Sequence, residues 1–379
     1  MDRANFTWEQ CFYPKQSKKT YDHKKDIEQL NILLGKYGLK VDSYIDSPTL
    51  VTYVVNLNVN TKINSILKLQ QNFEIAVNDN NVRVYVDGNK LCIEKKGADN
   101  IVLMRDVLSP QFYGSKKMLM AIGIDNQGKK VYYDLNKAPH MLIAGTTGGG
   151  KSTLIHQILC SLIINHYADT DFIGIDPKGV ELKDYNGLQN FKFVTEIDTA
   201  INTLRGLCEE MDRRYILLAK AGCRDIDAYN EKDGNMRRIV CVIDEFADLM
   251  LTSKNAETYV VRLAQKARAC GIHLIIATQR PTADVVTGLI KANIPTRIAL
   301  KTTTALESRL IIDRKGAEKL NGHGDLLFLP NGGFDTVRCQ AALVVRDESV
   351  TVACKGYLEN GGDINNTVSR GEKQIAVNY

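Results

Sequence analysis

Residues 141–152 read Met141-Leu142-Ile143-Ala144-Gly145-Thr146-Thr147-Gly148-Gly149-Gly150-Lys151-Ser152: a short apolar run, a glycine-rich turn, then a lysine and a hydroxyl. Beyond them Leu154, Ile155, Ile158, Leu159 and Leu162 recur at helical spacing. A strand entering a helix through GxxxxGKS is the layout a phosphate-binding loop needs. Glycines let backbone N–H groups turn inward around phosphate oxygens. The following helix presents the positive end of its dipole. Lys151 has the reach for β and γ phosphates, and the Ser152 hydroxyl suits magnesium. The expected nucleotide contacts are Gly145, Thr146, Thr147, Gly148, Gly149, Gly150, Lys151, Ser152 and Thr153, and the expected ligands are ATP and Mg2+.

Two further apolar runs end in polar residues of the matching kind. Ile239-Val240-Cys241-Val242-Ile243 delivers Asp244 and Glu245 at its C-terminal edge. In that place Asp244 is expected to hold the magnesium shell with Ser152, and Glu245 to orient and deprotonate a water. Adjacent acids after a strand also cap helices, a reading the phosphate loop outweighs. Leu274-Ile275-Ile276-Ala277-Thr278 ends in Gln279, whose amide at a strand tip suits a γ-phosphate sensor.

Outward from these motifs the chain divides. After 110, strand-sized runs (Met141–Ala144, Phe172–Ile175, Ile239–Ile243, Leu274–Thr278, Arg297–Leu300) alternate with longer helical stretches. Runs apolar on both faces suit central strands of a mainly parallel sheet covered by helices, an α/β architecture. Residues 324–345 carry further strand patterns that extend the sheet. Before 110 the pattern is a small α+β unit. It has a helix from Asp26 to near Gly38, a strand at Thr49–Val55, a helical stretch Ile63–Phe73, and strands Val82–Val86 and Leu91–Ile93 joined at Asp87-Gly88. The expected domains are a flexible leader at 1–24, with Lys15, Lys18 and Lys19 clustered, the α+β unit at 25–110, the ATPase at 111–358 and a polar tail at 359–379.

Composition agrees. With 44% hydrophobic and 25% charged residues over 379 positions, disordered, collagen-like and low-complexity classes are excluded. Nine cysteines in no CxxC pair read as reduced, buried thiols rather than zinc ligands or a disulfide framework. No apolar run is long enough for a membrane helix, and Met1-Asp2-Arg3-Ala4-Asn5 is not a signal peptide, so the expected location is cytoplasmic. His140, His273 and His323 lack partners at metal-ligand spacing and read as structural.

On these residues the chain resembles the motor of the FtsK/SpoIIIE family of DNA translocases. The likeness extends to Pro139-His140 before the loop, Asp176-Pro177-Lys178, Met211-Asp212-Arg213-Arg214-Tyr215 and Val242 to Met250. It continues through Arg262 to Ala269 and Gly288 to Ile298, and covers about residues 25–358. The resemblance implies a RecA-like motor domain preceded by a small α domain, assembled as a homohexameric ring that moves double-stranded DNA with ATP. The family's N-terminal membrane region and C-terminal winged-helix γ domain have no counterpart in this sequence. The expectation is therefore a minimal soluble motor, serving a plasmid, phage or mobile element, without direction set by sequence tags. The rival expectations are a conjugative coupling or DNA-packaging ATPase of the same superfamily, and a nucleotide-gated DNA-binding adaptor.

Residues 280–320 hold eight basic side chains against four acidic ones. On charge alone this is a solvated face. The resemblance places pore loops here and implies Arg280, Lys291 and Arg309 as phosphate contacts, with Ala305 standing where the family often has lysine and Lys301 as a replacement. Arg268 lies off the apolar face formed by Val260, Leu263, Ala264, Ala267 and Cys270. The resemblance implies that it is an arginine finger reaching a neighbour's γ-phosphate, with Arg297 the runner-up.

Overall fold

The computed structural model describes residues 21–344, apart from 60, 99–100, 109–116, 138, 233, 332 and 334. Most of the leader expected at 1–24, and all of the tail expected at 359–379, lie outside the described residues.

The small unit is a four-stranded antiparallel sheet of β1 (Ser43–Asp46), β2 (Leu50–Asn56), β3 (Arg83–Asp87) and β4 (Lys90–Lys96), in the order β1-β2-β4-β3. The Asp87–Gly88 signal is a hairpin turn, with Asp87 paired to Lys90. Alternate residues Val51, Tyr53, Val55, Leu91 and Ile93 share a core with Leu30, Leu34, Ile66 and Phe73 of the helices. The helix expected over 63–73 is instead two, Ile63–Leu67 and Gln70–Ala76. A strand at 43–46 was not foreseen.

The large unit is a ten-stranded mixed sheet. Its strands are β5 (Leu119–Asp125), β6 (Lys130–Asp134), β7 (His140–Ala144), β8 (Thr170–Ile175), β9 (Phe191–Val194), β10 (Arg238–Ile243), β11 (Ile272–Thr278), β12 (Thr296–Leu300), β13 (Asp325–Leu329) and β14 (Val337–Gln340). They are ordered β6-β5-β14-β13-β12-β7-β11-β10-β8-β9. From β12 to β9 every neighbour is parallel; from β13 to β6 the pairings are antiparallel. All five runs expected as central strands are present.

Two apolar layers sandwich the sheet, which is why those runs lack polar alternation. Met141 and Ile143 pack with Leu154, Ile158 and Leu162 of the helix Lys151–His166. Leu142, on the opposite side of the same strand, packs with Leu204, Met211, Phe246 and Leu263 from three other helices. Each fully buried side chain of this kind contributes roughly 1.5–3 kcal/mol. A one-residue slip of β7 would exchange its two layers, so the register, and with it the position of the loop that follows, is strongly fixed.

One boundary moves. Val102, Met104, Val107 and Leu108 pack with Ala121, Cys160 and Ala342 of the large unit, and Leu103 bridges to Leu343. The changeover therefore follows Lys96 rather than falling near 110, because these apolar residues find their cover on the large sheet. His140 and His273 are buried and structural. His140 Nδ1 accepts from Leu274 N at 3.1 Å, His273 Nδ1 donates to Pro139 O at 3.2 Å, and burial pushes both down to about 3. No disulfide joins the described cysteines.

The two units meet through polar contacts. Lys319 Nζ lies 2.9 Å from Glu74. Arg338 of β14 bridges Asp325 and Glu94, all three fully enclosed. Glu94 also accepts from Tyr85 Oη at 2.8 Å and from Asn126 Nδ2 at 2.7 Å. Burial opposes ionisation of Glu94, but Arg338, Arg83 and these donors overcome it and hold the carboxyl below its ordinary value.

Candidate active site

The sheet order sets the site. β11 lies between β7, which feeds the phosphate loop, and β10, which ends in the two acids. Three strand tips thus converge: Ala144 pairs with Thr278, and Ile243 with Ile276. The loop Gly145–Gly150 leaves β7 and enters the helix at Lys151, with Gly150 as its N-cap at φ 100°.

The three sequence motifs are wired together. Lys151 Nζ donates to Asp244 Oδ1 at 2.6 Å and to the Asp244 carbonyl at 2.5 Å, both residues being buried. Burial pushes the Asp244 carboxyl up, Lys151 pulls it back, and Asp176 and Glu245 add to the rise. Glu245 Oε1 accepts from Thr278 Oγ1 at 2.6 Å, and its Oε2 from Gln279 N at 2.9 Å. Gln279 in turn accepts, through Oε1, from Thr147 Oγ1 at 2.9 Å. A continuous path therefore runs from the second acid through the strand tip to the phosphate loop. The oxygens of Ser152 and Asp244 are hard donors on adjoining elements, a set that fits Mg2+.

Sequence reasoning missed three parts of this arrangement. Asp176, at the tip of β8, is fully buried and takes backbone N–H groups of Lys178, Gly179, Glu181 and Leu182 at 2.8–3.2 Å, shaping the loop beside Asp244. Its signal was present, an acid closing an apolar run as Asp244 does. Thr278 anchors Glu245. Third, the turn Gly322-His323-Gly324 clasps the phosphate loop from outside: His323 N donates to Gly148 O at 3.2 Å and Gly324 N to Gly149 O at 2.9 Å. The clasp holds these two carbonyls outward. Within the loop Gly145 N, Thr146 N and Gly149 N are taken up by Thr278 O, Lys301 O and Thr146 O, which leaves the N–H groups of Thr147, Gly148 and Gly150 to face a phosphate. His323 is structural, as expected, but through its backbone.

The approach of Gly150 to Gly324 leaves no room for a side chain. A Cβ on Gly150 would lie 2.4 Å from Gly324 N, and its φ of 100° disfavours any L-residue. Gly150→Ala is expected to abolish binding of a fluorescent ATP analogue while retaining the native circular-dichroism spectrum. Wild-type affinity in that variant would show that the loop is not the nucleotide site.

Arg268 is exposed and lies in the turn between the helix Asn255–Lys266 and β11, at the opposite end of β11 from Gln279. The helix ends at Lys266, short of Ala267 and Cys270 of the expected apolar face. The chain then closes as a Schellman turn, with Ile272 N on Ala267 O and Gly271 N on Arg268 O, because Gly271 takes φ 68°. Arg214 Nη1 donates to Cys270 O at 2.8 Å and Tyr215 Oη to Lys266 O at 2.5 Å, so the Met211–Tyr215 motif clamps both sides of Arg268. Arg297, the runner-up, is buried in β12 and held by Ile311 O at 2.9 Å and Asp313 at 2.7 Å, so its guanidinium faces the protein's own interior.

The basic segment is less free than its charge suggests. Lys291 is 2.7 Å from Asp313, Arg314 2.9 Å from Asp335, and Lys319 is held by Glu74. Arg280 is exposed and 4.0 Å from Asp248. Among the described residues, Arg309 on the helix Ala305–Ile312 and Lys301 after β12 have no side-chain partner.

Comparison with known proteins adds the following. A family profile described as FtsK/SpoIIIE family matches residues 103–238 and 231–283. The chain is 39% identical over 362 residues to DNA translocase FtsK of Halalkalibacterium halodurans, covering 89% of this chain and 46% of that protein. It is 42% identical over 333 residues to DNA translocase SftA of Bacillus subtilis, covering 83% and 35%. The chain thus spans about half the length or less of these curated relatives. Among solved structures, the pCW3 conjugation coupling protein TcpA, in a monomer form with ATPγS, matches with a TM-score of 0.62 at 26% identity, covering 89% of this chain and all of that one. The cytoplasmic domain of the type VII secretion ATPase EccC of Thermomonospora curvata shares the fold, with a TM-score of 0.57 at 24% identity over 66% of this chain and 33% of that one. Among the described residues no helix is long and apolar enough to cross a membrane.

Proposed function

Because the chain belongs to the FtsK/SpoIIIE family, we propose that it is an ATP-hydrolysing motor that moves double-stranded DNA through a homohexameric ring. The observation that carries this reading is the path Glu245–Thr278/Gln279–Thr147, which ties a water-activating acid and a strand-tip amide to the phosphate loop. A protein that merely stored nucleotide would need no such path.

In this mechanism the N–H groups of Thr147, Gly148, Gly150 and Lys151 bind the phosphates and Lys151 moves its ammonium from Asp244 to the β,γ oxygens. Ser152 and Asp244 would hold Mg2+, which when bound neutralises phosphate charge. Glu245 orients a water and accepts its proton, while Gln279 positions that water against the γ-phosphate. Arg268 is too far from its own loop, at the other end of β11, and serves the neighbouring subunit. Strand-displacement of a triplex on linear DNA tests the whole reading: it is expected with ATP and absent with ATPγS. Displacement that is equal with and without hydrolysis sinks it.

A second reading, a coupling ATPase that delivers DNA into a transfer channel, is favoured by the full-length match to TcpA. It uses the same site and differs in its partner.

DNA grip by phosphate contact predicts a steep salt dependence, about 0.9 log units of affinity per log of salt for each phosphate neutralised. Arg309→Ala and Arg280→Ala are each expected to flatten that slope by about one contact, equally on unrelated duplexes. Lys291→Ala should do less, because Asp313 already holds it. Fluorescence anisotropy across a salt series measures this; a loss confined to one DNA sequence would mean base readout instead.

A further inference from the structure

The turn that clasps the phosphate loop is itself held from the small domain. Gly322, His323 and Gly324 have φ of 84°, 51° and 89° in succession. A non-glycine residue at positive φ in such a run is costly and persists only where its surroundings over-determine it. Two side chains of β14 do so. Arg338 grips Asp325, the residue that closes the turn, through Nε at 3.0 Å and Nη2 at 2.7 Å, and Asp325 Oδ2 accepts from Asn321 N at 2.9 Å. The third nitrogen of Arg338, Nη1, lies 3.1 Å from Glu94 Oε2 in the small domain. Two residues on, facing the same way, Gln340 Nε2 donates to His323 O at 2.9 Å, and Gln340 Oε1 accepts from Thr49 Oγ1 of the small domain at 3.3 Å.

Each of these side chains has one end on the turn and the other on the small domain. Among the described residues neither hydrogen-bonds the phosphate loop. We propose that Arg338 and Gln340 are positioning residues that couple docking of the small domain to the shape of the phosphate loop, so that ATP binding and domain docking favour each other. This rests on residues 145–153 being the nucleotide site. The coupling is reciprocal by thermodynamic necessity: whatever docking adds to ATP affinity, ATP must add to docking.

Arg338→Leu leaves Asp325 buried without its cation and Glu94 with only the more distant Arg83 at 3.6 Å, and is expected to unfold, so milder variants carry the test. Gln340→Ala cuts both ends of one link, Thr49→Val cuts only its small-domain end, and Thr49→Ser restores the hydroxyl. Binding is measured by calorimetry on the full chain with Mg2+–ATPγS. Gln340→Ala is expected to weaken binding about fivefold, the size of one net hydrogen bond. Thr49→Val is expected to weaken it about twofold, for its longer bond, and Thr49→Ser to bind as wild type. In hydrogen exchange, Mg2+–ATPγS is expected to protect the amides of β4 in the wild type and to protect them less in Gln340→Ala. A merely structural role would lower the melting temperature yet leave Kd of the folded protein and the β4 protection unchanged; that result overturns the coupling. If the wild type binds no Mg2+–ATPγS at all, the nucleotide reading fails and takes this proposal with it.

Discussion

Arg268→Ala is expected to bind ATP normally and hydrolyse it ~10³-fold more slowly or worse, the range of a lost arginine finger. The variant keeps the loop, the Lys151–Asp244 pair and Glu245. What it loses lies in the turn before β11, between Lys266 and Cys270, whose carbonyls Tyr215 and Arg214 hold, at the opposite end of that strand from Gln279. Mixing separates action on a neighbour from action within a subunit. Arg268→Ala subunits combined with Lys151→Ala subunits, each nearly inactive alone, should recover DNA-stimulated hydrolysis, because some intact sites then face a neighbour that carries Arg268. Covalently linked dimers of the two mutants guard against a ring poisoned by strict coordination. If neither mixture nor linked dimer recovers, while the same experiment with Arg297→Ala does, the finger is Arg297. That outcome would require Arg297 to leave Asp313 and Ile311 O and come out of the β12 core.

Glu245→Gln is expected to retain ATP binding and lose hydrolysis by about 10²–10⁴-fold, the contribution of a positioned general base. The substitution is mild in the fold. A glutamine can keep one oxygen on Gln279 N–H, and the Thr278 hydroxyl can rotate from donor to acceptor toward the new amide nitrogen. The loop, Lys151 and Asp244 are untouched. Glu245→Ala should be worse in a different way, since it also frees the Thr278–Gln279 tip that reaches Thr147. Equilibrium binding of a fluorescent analogue with single-turnover hydrolysis tells the two steps apart. Wild-type turnover in Glu245→Gln would remove Glu245 from the role of base.

The central strands and the phosphate loop were legible because burial on both faces writes continuous apolar runs, and because phosphate binding constrains residue types at fixed spacing. Met141–Ser152 and Ile239–Glu245 carry both signals. The clasp at 322–324 was not legible, because it works through backbone N–H groups on backbone carbonyls, and such bonds leave no side-chain pattern. Charge counting over 280–320 also overstated the free cations. Lys319 answers to Glu74, and both Lys291 and Arg297 answer to Asp313; only the fold brings those partners in. The split of the 63–73 helix and the strands β6 and β9 escaped for a simpler reason. Short elements with partly exposed faces carry weak periodicity.

The pairing of β5 with β14 bears on how the chain is made. β5 precedes the phosphate loop, yet its ladder partner begins more than two hundred residues later, Asp125 opposite Cys339. At about 5–20 residues per second of synthesis, the β5–β6 hairpin waits on the order of ten seconds or more before β14 leaves the ribosome. The small domain's polar anchor, Arg338, lies on the same late strand. The parallel strands β7 to β12 and their helices can therefore collapse first, with β5 already packed on the helix Lys151–His166 and the small domain on Lys319. The emergence of one four-residue strand, β14, then completes the ladder to the hairpin and adds Arg338 to the small domain's contacts.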